Sequence, residues 1–314
     1  MSEEVPTTPA MPLAPGMLLE RLKTQTEYAL RCGALQSIPT DYEFVESDSI
    51  RFLVRILTNL TRKDEAQREQ AQKTAVSGKE FNPFLPYEED LFVADISPTH
   101  LCLLNKYNVV EHHLLIITRA FEAQDTWLTL QDFEALAVCM AEFEGLAFYN
   151  GGTLAGASQR HKHLQIVPLP FGLGDARIPI EPELVKALTQ SQGGIAQSSS
   201  FPFVHAIAPL EPQWLDSPTQ AACHYLERYQ RLLEAVGLSQ DKESSQQSGA
   251  YNLLVAREWM FLIPRSRESF QSIAINSLGF AGALLVRNAE QMQFLKEVSP
   301  LTILQNVAYS QPKN

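Results

Sequence analysis

The sequence predicts an α+β protein: an antiparallel sheet with flanking helices, in two unequal halves that form one compact unit. Three observations carry that prediction. Apolar runs of strand length follow one another between turn residues in "LFVADISPTHLCLLNKYNVVEHHLLIITRA" (91–120), the pattern of an antiparallel meander. Two stretches, 128–148 and 216–237, repeat apolar residues at helical spacing behind capping residues. With 45% hydrophobic residues in 314, the chain holds enough apolar material for one long domain or two ordinary ones.

In chain order, residues 1–16 are acidic and proline-rich and read as a disordered tail. "GMLLERLKTQTEYALRCG" (16–33) is a helix that stops at Gly33. "FVESDSIRFLVRILTNLTRKD" (44–64) mixes β-branched and apolar residues and is one or two strands, while 65–80 is polar and unpatterned. After the meander, Thr129 and Asp132 form a capping box for a helix with Phe133, Leu136, Ala137 and Met140 on one face. "YNGGTLAGASQ" (149–159) is a small-residue loop, and a strand follows in "GASQRHKHLQIVPLP" (156–170). These elements make an N-terminal half, 1–189. "QSQGGIAQSSS" (190–200) is a linker to a C-terminal half, 201–314. That half opens on a strand in "FPFVHAIAPL" and continues into a helix with Ser217 as N-cap, Pro218 in the first turn, Gln220 closing the cap and Gly237 at its end. A polar loop (239–249), a hairpin in "YNLLVAREWMFLIPRS" (251–266) and a glycine-kinked apolar run (275–288) complete it. No internal repeat is visible in the residues.

Composition narrows the function. A net charge of −11 excludes the extended basic field that nucleic acid requires, so any anion site must be local. Cys32, Cys102, Cys139 and Cys223 are scattered and form no C-x-x-C, against a zinc ribbon or a dithiol redox site. The start lacks a leader pattern, and no run approaches the ~20 apolar residues of a membrane span. A soluble, cytoplasmic protein with reduced thiols is the expectation.

Side chains alternate faces along a strand, so His161, His163 and Gln165 share one face and Lys162 takes the other. A polar strand face with satisfied histidines is the plainest reading. Metal chelation by H-x-H, with His112 and His113 as further ligands, is a second, although Gln165 stands where a third donor is wanted and is a poor ligand. Nucleophilic catalysis at phosphorus is the third. A neutral imidazole attacks a phosphoanhydride competently, and such chemistry needs mainly positioning and charge neutralisation. Gly151, Gly152, Gly156, Ala157 and Ser158, just ahead of the row, allow close backbone approach and a nest of N–H groups for an anion.

"GASQRHKHLQIVPLP", with "LLNKYNVVEHHLLIITRAFEAQ" upstream and "YNLLVAREWMFLIPRS" downstream, closely resembles the diadenosine tetraphosphate phosphorylases. These enzymes, also called ATP adenylyltransferases, are a transferase branch of the histidine-triad superfamily, and the likeness runs from about Phe81 to Asn288. The resemblance implies a histidine-triad-like sheet. It implies that His163 attacks the adenylyl phosphorus to give an AMP–histidine intermediate and ATP, and that phosphate then takes the AMP as ADP. His161 would orient the nucleophile, and Gln165 would replace the third histidine of hydrolytic relatives. A carboxamide can hydrogen-bond a phosphoryl oxygen yet cannot move a proton near neutral pH, which favours transfer over hydrolysis.

The resemblance also implies substrate contacts at Asn150 and Gly156, Ala157, Ser158 and Gln159, a nucleoside pocket lined by Asp95 and Ile96, and contacts from Asn276 and Arg287. An ordinary strand end is the alternative for Asp95 and Ile96, and a solvated surface residue for Arg287. Where the family places a polyphosphate-binding lysine, this chain has Arg55, with Lys63 as the alternative; arginine grips phosphate as a planar fork. No protein-bound cofactor is expected: a divalent cation such as magnesium would arrive on the polyphosphate. The expected partners are the dinucleoside polyphosphate, phosphate, ATP and ADP, with no nucleic acid and no membrane, and a monomer or homodimer. Two other functions stay open: a galactose-1-phosphate uridylyltransferase-like enzyme, and a nucleotide-binding sensor without turnover. Proline usually separates the two histidines of the first, where this chain has Lys162.

Overall fold

The computed structural model describes residues 14–58, 82–171, 176–191, 194–238 and 244–311; Lys63 and the polar stretch 65–80 lie outside them. Helix α1 (Leu18–Cys32) buries Leu18, Leu22, Thr26 and Ala29 along one stripe and ends at Gly33, whose φ of 81° suits a residue without Cβ. The next segment is two strands, β1 (Thr40–Ser47) and β2 (Ile50–Leu57), joined as an antiparallel hairpin. The meander forms as expected from β3 (Phe92–Asp95), β4 (His100–Leu104) and β5 (Leu114–Thr118). Helix α2 (Leu130–Glu142) starts with the full Thr129–Asp132 capping box.

The reading of the next stretch needs correction. Gly145–Gly151, taken from sequence as a helix end and a loop, is a fully buried strand, β6. A strand covered on both faces has no polar alternation to reveal it. Gly145 serves packing, since a Cβ there would lie 2.8 Å from Ile166 Cγ1. Strand β7 (His163–Pro168) then inserts between β5 and β6. Helix α3 (Glu181–Gln190) leads to β8 (Ala206–Pro209) and α4 (Pro218–Ala235). Ser217 precedes α4, but its side chain makes no capping hydrogen bond, so the predicted cap is absent and Pro218 alone marks the start. The hairpin is β9 (Tyr251–Val255) and β10 (Trp259–Pro264). Beyond a small pair, β11 (Ser269–Phe270) and β12 (Ile273–Ala274), the glycine-kinked run splits into α5 (Ser277–Phe280) and β13 (Ala283–Val286). Helices α6 (Ala289–Val298) and α7 (Pro300–Val307) follow.

Eight strands form one sheet in the order β3-β4-β5-β7-β6-β9-β10-β8, and β13 joins β2 in parallel to make a second sheet, β1-β2-β13. The large sheet contains an internal repeat that the residues hide. The unit β5-α2-β6-β7 orders its strands β5-β7-β6, and β8-α4-β9-β10 orders its own β8-β10-β9. The two meet at β6 and β9, where Asn150 lies directly opposite Asn252 and each follows a tyrosine, Tyr149 and Tyr251. Counting outward from that pair, β10 places Phe261, Ile263 and Arg265 where the first unit places His161, His163 and Gln165.

The two faces of the sheet are covered differently. Helices α1, α2 and α4 pack on one face against Leu164, Ile166, Ala147, Leu253, Val255 and Leu262. The other face is not bare, as helices on one side alone would leave it. Over β6, β9 and β10 it carries β2, β13, α3 and the C-terminal helices, packed on Phe148, Leu254, Phe261 and Ile263. Over β4 and β5 that same face holds, among the described residues, a small apolar floor of Leu101, Leu103, Leu115 and Ile117 under Phe84. The histidine row stands beside this floor.

Candidate active site

Directly paired residues share a sheet face. The register Asp95, Leu101, Ile117, His163 therefore puts Asp95 on the histidine face, three strands from His163. His161, His163 and Gln165 are 1%, 4% and 8% exposed. Phe84 sets its ring edge against both imidazoles, at centroid distances of 5.5 and 5.4 Å, and Phe121, which is exposed, approaches His161 at 5.5 Å.

The protons on these rings follow from their partners. His163 Nδ1 lies 2.8 Å from the carbonyl oxygen of His161, and a carbonyl only accepts, so Nδ1 carries the hydrogen and Nε2 the lone pair. Burial lowers the His163 pKa to about 4, which keeps the ring neutral at pH 7. The backbone carbonyl of His161, rather than its imidazole, orients the His163 ring. The His161 ring is occupied at both nitrogens: Nε2 donates to Thr118 O at 2.8 Å, and Nδ1 accepts from Asn82 Nδ2 at 3.0 Å. Burial lowers its pKa as well. With both nitrogens engaged, it is poorly placed to ligate a metal.

Gln124, which the sequence reading did not single out, and His113, which it offered only as a metal ligand, hold this arrangement. Gln124, 3% exposed, accepts from the His163 N–H at 2.8 Å and donates to the carbonyls of Asn150 at 2.9 Å and His163 at 3.2 Å. It clasps β7 to β6. His113 donates from Nε2 to Gln165 Oε1 at 2.9 Å, and Asn105 Nδ2 stands 3.2 Å from His113 Nδ1; burial lowers the His113 pKa to about 4. A buried amide or imidazole in a loop gives no periodic signal, so only the fold reveals these roles. Lys162 does face away from the row, yet it is 1% exposed rather than solvated. Its Nζ meets Asp132 Oδ2 at 2.8 Å and Trp127 O at 2.9 Å, and Asp132 also meets His100 Nε2 at 3.0 Å. Burial pushes the Asp132 carboxyl up, but the His100 and Lys162 contacts outweigh it and hold the pKa at about 2.

The glycine loop is folded on itself. The N–H groups of Ala155, Gly156 and Ala157 donate to the carbonyls of Gly152 and Thr153, which corrects the expectation that Gly156 and Ala157 offer their amides to an anion. Among the described residues, the N–H groups of Ser158 and Gln159 remain without a partner, and Ser158 is exposed. Gly156 has φ +87°, and a Cβ there would lie 2.8 Å from Ile275 O and 3.0 Å from Asn276 Cβ. The loop and Asn276 are thus brought together, while the Asn276 side chain caps α5 through Leu278 N at 3.0 Å.

Other expected contacts fall elsewhere. Asn150 is a buried tie, not a free ligand: its Oδ1 accepts from Asn252 Nδ2 at 2.9 Å and from Ser277 Oγ at 2.8 Å and N at 3.0 Å. Ile96 packs against the helix-side core, since alternation turns the residue after Asp95 away from the histidine face. Asp95 is paired with Arg119. Arg55 is on β2, bonded to Thr40 Oγ1 at 3.2 Å, with burial lowering its pKa. Arg287 is exposed beside β13. No bond among the described residues joins either arginine to the histidine row.

The fold and the family models that match it define an adenylyltransferase. A model of the Ap4A phosphorylase N-terminal domain matches residues 8–186, and one of the ATP adenylyltransferase C-terminal domain matches residues 199–310. Diadenosine 5',5'''-P1,P4-tetraphosphate phosphorylase 2 of Saccharomyces cerevisiae is 30% identical over 257 residues, 74% of this chain and 76% of that protein. The crystal structure of the yeast Ap4A phosphorylase Apa2 superposes with a TM-score of 0.74 at 24% identity, covering 95% of this chain and 96% of that one. Its complex with Ap4A also gives 0.74, at 22% identity and with 94% and 98% covered. The chain belongs to the Ap4A phosphorylase family.

Proposed function

We propose that the protein cleaves diadenosine tetraphosphate with inorganic phosphate to ATP and ADP, through an AMP adduct on His163. The carrying observation is the fixed tautomer of His163, whose Nδ1 hydrogen is held by the His161 carbonyl at 2.8 Å, leaving a neutral Nε2 lone pair. Family membership and the relative solved with Ap4A support the substrate class. In the first step Nε2 attacks the phosphorus of one adenylyl group, the N–P bond forms, and the P–O bond to the outgoing ATP breaks. The carbonyl partner of Nδ1–H stabilises the positive ring that results. In the second step an oxygen of phosphate attacks the same phosphorus, the N–P bond breaks, and ADP leaves with His163 restored.

Gln165, whose carboxamide stands on the same face, and the unpaired N–H groups of Ser158 and Gln159 would neutralise phosphoryl charge. Arg55 or Lys63 would contact the polyphosphate, and Asp95, Asn276 and Arg287 would be further substrate contacts. A magnesium ion would enter with the polyphosphate and stay bound to it. Incubation with diadenosine tetraphosphate, with and without phosphate, followed by nucleotide chromatography, tests the reading. ADP and ATP should appear only with phosphate. His163→Ala should release no ATP and form no acid-labile AMP–protein adduct; full turnover in that variant sinks the mechanism.

A further inference from the structure

We propose that His113 is a positioning residue for the transfer: together with Asn105 it sets the polarity of the Gln165 carboxamide, so that this side chain offers the phosphoryl group N–H and no acceptor. The inference rests on the function proposed above and goes beyond it in saying what makes the site a transferase. His113 lies two residues before Leu115, the direct partner of Gln165, and so reaches the same face from the start of β5. Four groups are then linked in one direction. The backbone N–H of Tyr107 donates to Asn105 Oδ1 at 3.3 Å, and a backbone N–H has no other role. The Asn105 amide is thereby turned with its Nδ2 toward His113 Nδ1, 3.2 Å away. An Nδ1 that accepts leaves the His113 hydrogen on Nε2, which donates to Gln165 Oε1 at 2.9 Å. With its oxygen taken by His113, Gln165 must turn its NH2 outward.

The polarity matters chemically. An outward N–H stabilises charge on the phosphoryl oxygens, which grows in the transition state. An outward carbonyl would repel those oxygens and would accept a hydrogen bond from water, holding that water near the phosphorus. His113 therefore acts on the competition between phosphate and water for the AMP adduct, without touching either.

The test compares wild type, His113→Leu and His113→Gln with diadenosine tetraphosphate and saturating phosphate, reading kcat, KM and the ratio of AMP to ADP. His113→Leu frees the carboxamide. Its kcat should fall about tenfold, the loss of one oriented hydrogen bond, with KM little changed and the share of AMP raised. His113→Gln keeps an N–H near the position of Nε2 and should restore most of both. A folded His113→Leu variant with wild-type kcat and product ratio overturns the proposal. A second measurement does not depend on that variant folding: long-range 15N–1H spectra of the histidine-labelled wild type should show His113 neutral with its hydrogen on Nε2 at pH 7. Hydrogen on Nδ1, or an imidazolium, overturns the relay. Wild type that fails to cleave the substrate sinks the proposed function instead, and the spectra still decide the relay.

Discussion

At the scale of single residues, the histidines divide by what their nitrogens meet. His163 and His205 use the same local device, an Nδ1–H bonded to the carbonyl two residues earlier at 2.8 Å. In His205 the second nitrogen accepts from Ser198 N at 2.8 Å, so that ring is inert structure among phenylalanines. In His163 the second nitrogen has no hydrogen-bond partner among the described residues, which is what the proposed attack on phosphorus requires. Three rings, His113, His163 and His205, are lowered to about 4 by burial from an ordinary 6.5. Between those values the unfolded chain binds more protons than the folded one, so stability is full above pH 6.5 and falls as pH drops toward 4. Thermal melts from pH 7.5 to 4.5 should show the midpoint falling through that window; a midpoint flat across it contradicts the neutral-ring account. His163 and Gln165 were legible in the sequence because polar residues at alternate positions interrupt an apolar strand. His113 and Gln124 were not, because their partners lie 52 and 39 residues away and no local pattern announces such a contact.

Among elements, those bounded by turn or capping residues were the readable ones. The meander shows turn residues between apolar runs, and α2 carries its own capping box. Strand β6 sits at the centre of the sheet with all seven residues buried, so its sequence blends into the end of the helix before it. The glycine loop was legible as a loop, yet which amides it leaves open was not: that depends on Gly152 and Thr153 carbonyls closing it from within. Gly156 is the position where this geometry is least forgiving. Gly156→Ala places a methyl group 2.8 Å from a backbone oxygen at φ +87°, and the loop must shift to admit it. The expected cost is at least about 1 kcal/mol of stability, with a raised KM as the Ser158 and Gln159 amides move. Chemical denaturation and steady-state kinetics check both; unchanged values would mean the loop is not built as described.

For the whole molecule, the repeat explains why there is one histidine row and not two. In the second unit, Phe261 and Ile263 stand where the first has histidines, and they are buried under β2 and the C-terminal helices. One copy of the unit carries the polar row, and the other carries apolar side chains in the matching places. Their join is polar and fully buried. Asn252 Nδ2 donates to Asn150 Oδ1 at 2.9 Å, to the Ala155 carbonyl at 2.9 Å and to Ser277 Oγ at 3.0 Å, while its Oδ1 accepts from the buried guanidinium of Arg265 at 2.5 Å. Burial lowers the Arg265 pKa to about 9, and carbonyl oxygens of Ile275, Val307 and Arg267 complete its shell. Asn252→Ala takes a partner from each of these groups, leaves the Ala155 carbonyl without its donor, and should cost on the order of 3 kcal/mol, read as a lowered denaturation midpoint. The carbonyl of Ala155 belongs to the loop that leads to the histidines, so this join ties that loop to the far unit. A nucleotide that orders the loop then restrains openings of β9 and β10, which carry none of the site residues proposed here. In amide hydrogen exchange those two strands should slow when nucleotide is added, and in Asn252→Ala that distant slowing should disappear while protection near His163 persists.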